Sequence, residues 1–189
     1  MTMSERRSSR YKGVGPSQER ILESYLNAFP GVDIDALTAN LALATLSTFL
    51  REGFEAKMRA MGYDLSRPRY TVVRTLYLSP GRTLPKAEIA EAMRVSGAYV
   101  TQLLVSLEAD GWVERVRDRA DSRVTHVCLT EAGTTRCADL VPQMLKHMVE
   151  TCGVLSKDEL DLLLSMISRI AERAEASAST SPQVMEASS

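Results

Sequence analysis

Four arginines crowd around one short turn in the second half of the chain. Arg115, Arg117, Arg119 and Arg123 lie within nine residues, and Asp121 stands two residues before the last of them. A guanidinium on a protruding turn suits the narrow minor groove of DNA, whose negative potential attracts arginine. Asp121 can hold Arg123 or shape the turn through its own side chain. This stretch predicts minor-groove contacts, and the plain alternative is an ordinary exposed charged turn.

A second set of candidate contacts lies just upstream, on a segment from Ser96 to about Asp110. Apolar residues recur there at helical spacing and should pack inward: Val100, Leu103, Leu104 and Leu107. The expected N-cap and the outer face are small or polar: Ser96, Gly97, Ala98, Tyr99, Thr101, Gln102 and Ser106. Small residues allow close approach to bases in the major groove, glutamine can pair with adenine, and threonine can reach phosphate or a thymine methyl. The plain alternative is a solvated helix face.

The elements around these residues form a recognisable order. A helix over about Pro85–Met93 and the helix after Ser96 are joined by a very short turn, which is typical of a helix-turn-helix. Alternating patterns then predict strands over Trp112–Val116 and Val124–Leu129, with the arginine-rich turn between them. A hairpin placed directly after a helix-turn-helix is called a wing. The predicted fold class is therefore mainly α with a small β-hairpin wing.

The rest of the chain is predicted to be helical between two polar ends. We expect a disordered tail over 1–15, dimerisation helices over 16–62, a DNA-binding domain over 66–130, further dimerisation helices over 131–175, and a second disordered tail over 176–189. The helices outside the central domain are apolar over more than one face, which suits burial against a second subunit.

The central stretch resembles the MarR family of winged helix-turn-helix transcriptional regulators. The resemblance is carried by residues 88–96, by 100–113, by the wing sequence 117–123, by the Leu-Thr-x-x-Gly pattern of 129–133, and by 155–160. It departs from the family in an additional helix before the usual first one. The wing also has Ala120 and Ser122 where the family often has arginine.

The resemblance implies a homodimer that binds a pseudo-palindromic operator in double-stranded DNA, usually as a repressor. It makes Arg123 the wing-tip residue that enters the minor groove. Family members commonly release DNA on binding a small anionic or aromatic molecule, so an effector pocket is expected. Its candidate lining is Phe54, Met58, Tyr63, Tyr70 and Arg74, since arginine beside aromatic rings suits a carboxylate. Each of these side chains could equally fill the core or its rim.

Composition and motifs argue against other functions. The 23 basic and 24 acidic residues give a formal net charge of −1, which excludes a histone-like polycation. The three cysteines form no CxxC pattern, and the two histidines match no zinc spacing, so we expect no metal, no cofactor and no enzyme activity. No apolar run approaches a membrane span, and a cytoplasmic location is predicted. Two alternatives stay open: a switch by cysteine oxidation, and a winged helix used for protein–protein contact.

Overall fold

The structure, a computed structural model, describes residues 16–117 and 124–179. Its elements follow in the order α1 (Pro16–Ala28), α2 (Ile34–Ala60), α3 (Arg67–Leu78), β1 (Thr83–Pro85), α4 (Lys86–Met93), α5 (Gly97–Ala109), β2 (Val113–Arg117), β3 (Thr125–Leu129), α6 (Glu131–Cys152) and α7 (Lys157–Ser179). Within these residues, no helix is both long and apolar enough to cross a membrane. The mainly helical fold class with a β-hairpin wing is confirmed.

Helix boundaries are set by side chains that satisfy the free backbone groups at the helix ends. Ser96 accepts a hydrogen bond from the Tyr99 N–H at 3.2 Å and so begins α5. Ser156 and Glu159 form a reciprocal capping box before α7, with the Ser156 N–H donating to the Glu159 carboxylate at 2.8 Å. Gly111 follows α5 with φ of 67°, a left-handed conformation that glycine adopts without strain.

The three strands form one antiparallel sheet in the order β1-β3-β2. In the hairpin, Val113 pairs with Leu129 and Arg117 with Thr125. On the other side of β3, Thr83 pairs with Cys128. The sequence predicted only the two strands of the hairpin. It placed the start of α4 at about Pro85, which the structure assigns to the end of β1. That prediction was incomplete, because β1 is defined by its pairing with a distant strand rather than by a local pattern.

The chain divides into two compact units, one up to Cys137 and one from Ala138. The core of the first unit is built from α3, α4, α5 and the inner face of the sheet. Its fully buried side chains include Val72, Val73, Leu76, Ile89, Val100, Leu104, Leu107 and Val127. In the second unit, Leu140, Val141 and Met144 are buried, whereas most of α7 is exposed.

Candidate nucleic-acid interface

Helix α5 separates its two faces as the sequence predicted. Val100, Leu103, Leu104 and Leu107 are all buried. On the opposite side, residues 96–99 and Gln102 are exposed, and Thr101 and Ser106 are half-buried. The four buried side chains hold the helix against the core, so the outer face is presented to a partner from a fixed position.

The hydroxyl of Thr101 is engaged inside the protein. It donates to the backbone carbonyl of Gly97 at 2.9 Å and accepts a hydrogen bond from the ammonium of Lys86 at 3.3 Å. Lys86 is the first residue of α4, so this contact links the two helices of the helix-turn-helix. Lys86 was not among the predicted site residues, because its partner lies 15 positions away on another helix.

The wing arginines do not share one environment. Arg115 binds Glu108, with its Nε donating to the carboxylate at 2.7 Å, and this hydrogen bond raises the pKa of the Arg115 guanidinium. Arg115 therefore ties β2 to α5. Arg117, at the end of β2, is exposed. The predicted contacts Arg119, Asp121 and Arg123 lie outside the described residues.

Helix α5, strand β2 and helix α6 meet at a cluster that we call the wing-root joint. Its members are Asp110, Gly111, Trp112, Thr130, Gly133 and Arg136. The Thr130 hydroxyl donates to the Gly111 carbonyl at 2.8 Å and accepts from the Gly133 N–H at 2.8 Å. One side chain thus caps α6 and fixes the backbone that leaves α5.

Two arginines, Arg136 and Arg69, stabilise the wing-root joint from opposite sides. The Arg136 guanidinium lies 4.6 Å from the centroid of the Trp112 ring and donates to the Asp110 carbonyl at 3.1 Å. From the other side, Arg69 forms an ion pair with the Asp110 carboxylate and donates to the backbone carbonyl of Asp64 at 3.2 Å. Sequence reasoning missed Arg69 and Arg136, because neither lies near its partner in the chain.

Three of the five candidate effector residues lie together. The rings of Phe54 and Tyr70 are 5.3 Å apart, and Arg74 lies 5.7 Å from the Tyr70 ring centroid. Burial raises the pKa of the Tyr70 hydroxyl, and the nearby charge of Arg74 opposes that rise. Met58 is buried as well. Tyr63 instead packs against Trp112, with the centroids of the two rings 5.7 Å apart. The burial of Phe54, Met58 and Tyr70 fits a core role as well as a pocket lining.

The cysteines lie in three different environments. Cys137 is fully buried, and burial raises the pKa of its thiol to about 11. Cys128 is half-buried, with its sulfur 3.1 Å from the Thr83 hydroxyl, and Cys152 is exposed. Among the residues described, no group of three or more histidine, cysteine or acidic side chains is arranged to hold a metal ion.

Comparison with known proteins identifies relatives of one kind. A sequence profile of the MarR family matches residues 63–124. The chain is 30% identical over 107 residues to the transcriptional regulator HosA of Escherichia coli O127:H6, covering 57% of this chain and 78% of HosA. It is 25% identical over 158 residues to the HTH-type transcriptional repressor YetL of Bacillus subtilis, covering 84% of this chain and 93% of YetL.

Solved structures have the same fold. The MarR family regulator Sco3205 of Streptomyces coelicolor, solved in complex with DNA, aligns with a TM-score of 0.66 and 19% identity. The alignment covers 83% of this chain and 94% of that protein. At this level of identity the likeness establishes the winged-helix fold alone.

Proposed function

This chain belongs to the MarR family of winged helix-turn-helix transcriptional regulators, and from that premise we propose that it binds double-stranded DNA at a pseudo-palindromic operator. The observation that carries the proposal is the division of α5. Its four buried leucine and valine side chains anchor the helix, and the residues exposed on its outer face are uncharged. An exposed helix of this kind fits the major groove of B-DNA.

The N-terminal end of α5 is suited to close approach. Gly97 has no side chain, a Cβ built there meets nothing within 4 Å, and Ala98 follows it. The backbone N–H groups at a helix N-terminus also favour a nearby phosphate. In this proposal Ser96, Gly97, Ala98, Tyr99, Thr101 and Gln102 approach the major groove. Gln102 is the long polar side chain that pairs with a base.

The wing supplies the second contact in the proposal. Arg117 stands exposed at the end of β2, where the chain enters the wing turn. We assign Arg119 and Arg123 to phosphate and minor-groove contacts, with Asp121 shaping the turn. This assignment rests on the residue types and on the family resemblance.

We further propose that the protein acts as a homodimer. Large apolar side chains are exposed on α1 and α2 (Ile21, Tyr25, Phe29, Leu43, Leu46, Phe49, Leu50) and on α6 and α7 (Leu145, Met148, Val149, Leu162, Leu164, Met166, Ile167, Ile170). Apolar surface on this scale is characteristic of subunit interfaces. Two-fold symmetry would present two α5 helices to major grooves about 34 Å apart. Sedimentation at micromolar concentration should give about twice the chain mass of 20.8 kDa, and a stable folded monomer would overturn the dimer.

We propose repression released by a small aromatic or anionic ligand as the mode of regulation. Its support is the contact of Arg74 with the Tyr70 ring beside Phe54, where an aromatic carboxylate would find both an apolar ring and a cation. A screen of aromatic acids for thermal stabilisation tests this part. A ligand that raises the melting temperature and weakens operator binding is expected, and an effective ligand that is insensitive to Arg74→Met would contradict the site.

The DNA-binding proposal is tested by salt titration of affinity for a duplex that the protein selects from a random library. Affinity should fall steeply with salt, in proportion to the phosphates neutralised. Arg123→Ala should weaken binding and lower the salt slope by roughly one per chain, with the melting temperature unchanged. Arg173→Ala, an exposed arginine of α7, is the charge-matched control. Failure to select any sequence would favour a protein-interaction module, and normal binding by Arg123→Ala would refute the wing assignment.

A further inference from the structure

Val105 occupies the middle of the outer face of α5. At about 100° per residue, it lies on the same side as Ala98 and Gln102 and opposite the four buried side chains. It is 56% exposed, compared with 38% for Tyr99 on the same helix. A β-branched residue is a poorer helix former than alanine at an exposed position. Helix stability therefore gives no reason for a valine here.

Thr101 adds a second apolar group to this face. Its hydroxyl is already used twice, since it donates to Gly97 and accepts from Lys86. Its one proton is therefore engaged, and a base acceptor would have to displace the Gly97 carbonyl to bond with it. The apolar group that Thr101 offers to a partner is its γ-methyl.

The outer face also lacks the side chains that recognise guanine. The α5 sequence, GAYVTQLLVSLEA, contains no arginine or lysine, which are the usual partners of guanine O6 and N7. Its one charged residue, Glu108, is bound to Arg115. Gln102 remains as the long polar side chain, and glutamine pairs with adenine.

We infer that α5 reads adenine–thymine pairs through the C5-methyl groups of thymine, with Val105 as the specificity-determining residue. The inference rests on the proposed function and deepens it. Val105 lies about 4.5 Å further along the helix axis than Gln102, and base pairs are stacked about 3.4 Å apart. The two side chains are thus spaced to reach neighbouring base pairs, and the Thr101 methyl adds to the same apolar surface.

The test removes single methyl groups from both partners. A duplex is selected by the wild-type protein, and each thymine is replaced in turn by uracil, which lacks only the C5-methyl. Loss of one buried methyl contact should lower the affinity of the protein for the duplex about four-fold. We expect this loss at one or two positions of each half-site. Val105→Ala should weaken the thymine duplex and abolish the uracil effect at its own position, leaving the other positions unchanged. Leu78→Ala, which trims a more exposed apolar side chain of α3, is the matched control.

Each outcome separates the inference from the proposed function. Loss of the uracil effect in Val105→Ala alone supports the inference. A selected half-site of guanine–cytosine pairs, or a uracil effect of equal size in wild type and Val105→Ala, overturns it while leaving operator binding intact. If the protein selects no sequence at all, the proposed function fails and the inference fails with it. Neither variant should melt below wild type, because neither side chain is buried and alanine is the better helix former at an exposed position.

Discussion

Replacing Gly133 with alanine should destabilise the wing-root joint. A Cβ on Gly133 would lie 2.0 Å from the carbonyl oxygen of Trp112 and 2.9 Å from its carbonyl carbon. Both atoms belong to the backbone, so no side-chain rotation relieves the overlap. The first turn of α6 must move away from Trp112. That movement strains the hydrogen bonds that Thr130 makes with Trp112 at 3.1 Å and with Gly133 at 2.8 Å.

The expected cost follows from these contacts. Overpacking costs about 1–3 kcal/mol, two weakened hydrogen bonds add about 0.5–1.5 kcal/mol each, and the better helix propensity of alanine returns about 1 kcal/mol. The net loss in free energy of unfolding is about 3 kcal/mol. For a chain of this size, the melting temperature should fall by roughly 6–12 °C.

Thermal unfolding followed by circular dichroism measures the effect, and the emission of Trp112, the sole tryptophan, reports on the joint itself. Gly97→Ala is the matched control, because a Cβ there meets no atom within 4 Å. It should melt like wild type or slightly higher. The reasoning is refuted if Gly133→Ala melts within 2 °C of wild type, or if Gly97→Ala is destabilised equally.

Three further predictions concern other parts of the chain. Gln102→Ala should lower the binding free energy that discriminates between base pairs by roughly 1–3 kcal/mol at one position, measured by competition among single-pair variants of the selected duplex. Equal weakening on every sequence would mean that Gln102 contacts only the DNA backbone. The backbone N–H and the hydroxyl of Ser156 both donate to Glu159 and lower its pKa, so these hydrogen bonds stabilise the start of α7 at neutral pH and are lost as the pH falls below the usual glutamate range. A carboxyl titration by NMR should show the low pKa in wild type and a partial rise in Ser156→Ala, because the backbone N–H of residue 156 still donates; an ordinary pKa in wild type would contradict the capping box. With a pKa of about 11, roughly one Cys137 thiol in a thousand is ionised at pH 8. Mass spectrometry after alkylation should therefore find the exposed Cys152 modified first. Early modification of Cys137 would contradict its burial.

The elements that the sequence predicted well are those with local signals. Alternation of apolar residues, the Ser96 cap, the capping box before α7 and the glycine after α5 each act within a few positions. The two helices predicted over about Pro85–Met93 and from Ser96 to about Asp110 therefore agree with the structure to within one residue. Helix α7 instead continues to Ser179, four residues into the segment predicted as a tail. The same locality explains why the buried face of α5 was identified residue by residue.

Features that depend on distant pairing were not predicted. Strand β1 has three residues and ends in proline, so nothing local marks it before β3 lies beside it. The ion pair of Arg69 with Asp110 spans 41 positions, and Arg136 reaches Asp110 across 26. These contacts fix how α5 is held, whereas the outer residues through which we propose that α5 contacts DNA could be named from the sequence alone. The sequence did not show that the Thr101 hydroxyl accepts a hydrogen bond from Lys86.

The division of α5 into a buried and an open face has an evolutionary consequence. Val100, Leu103, Leu104 and Leu107 carry the stability of the helix, while Ala98, Gln102 and Val105 are exposed and add little to it. If α5 contacts the operator as we propose, substitutions at those three positions after gene duplication would redirect the daughter protein to a new operator without first lowering its stability. Under that proposal, target preference and fold stability depend on separate sets of residues in the same helix.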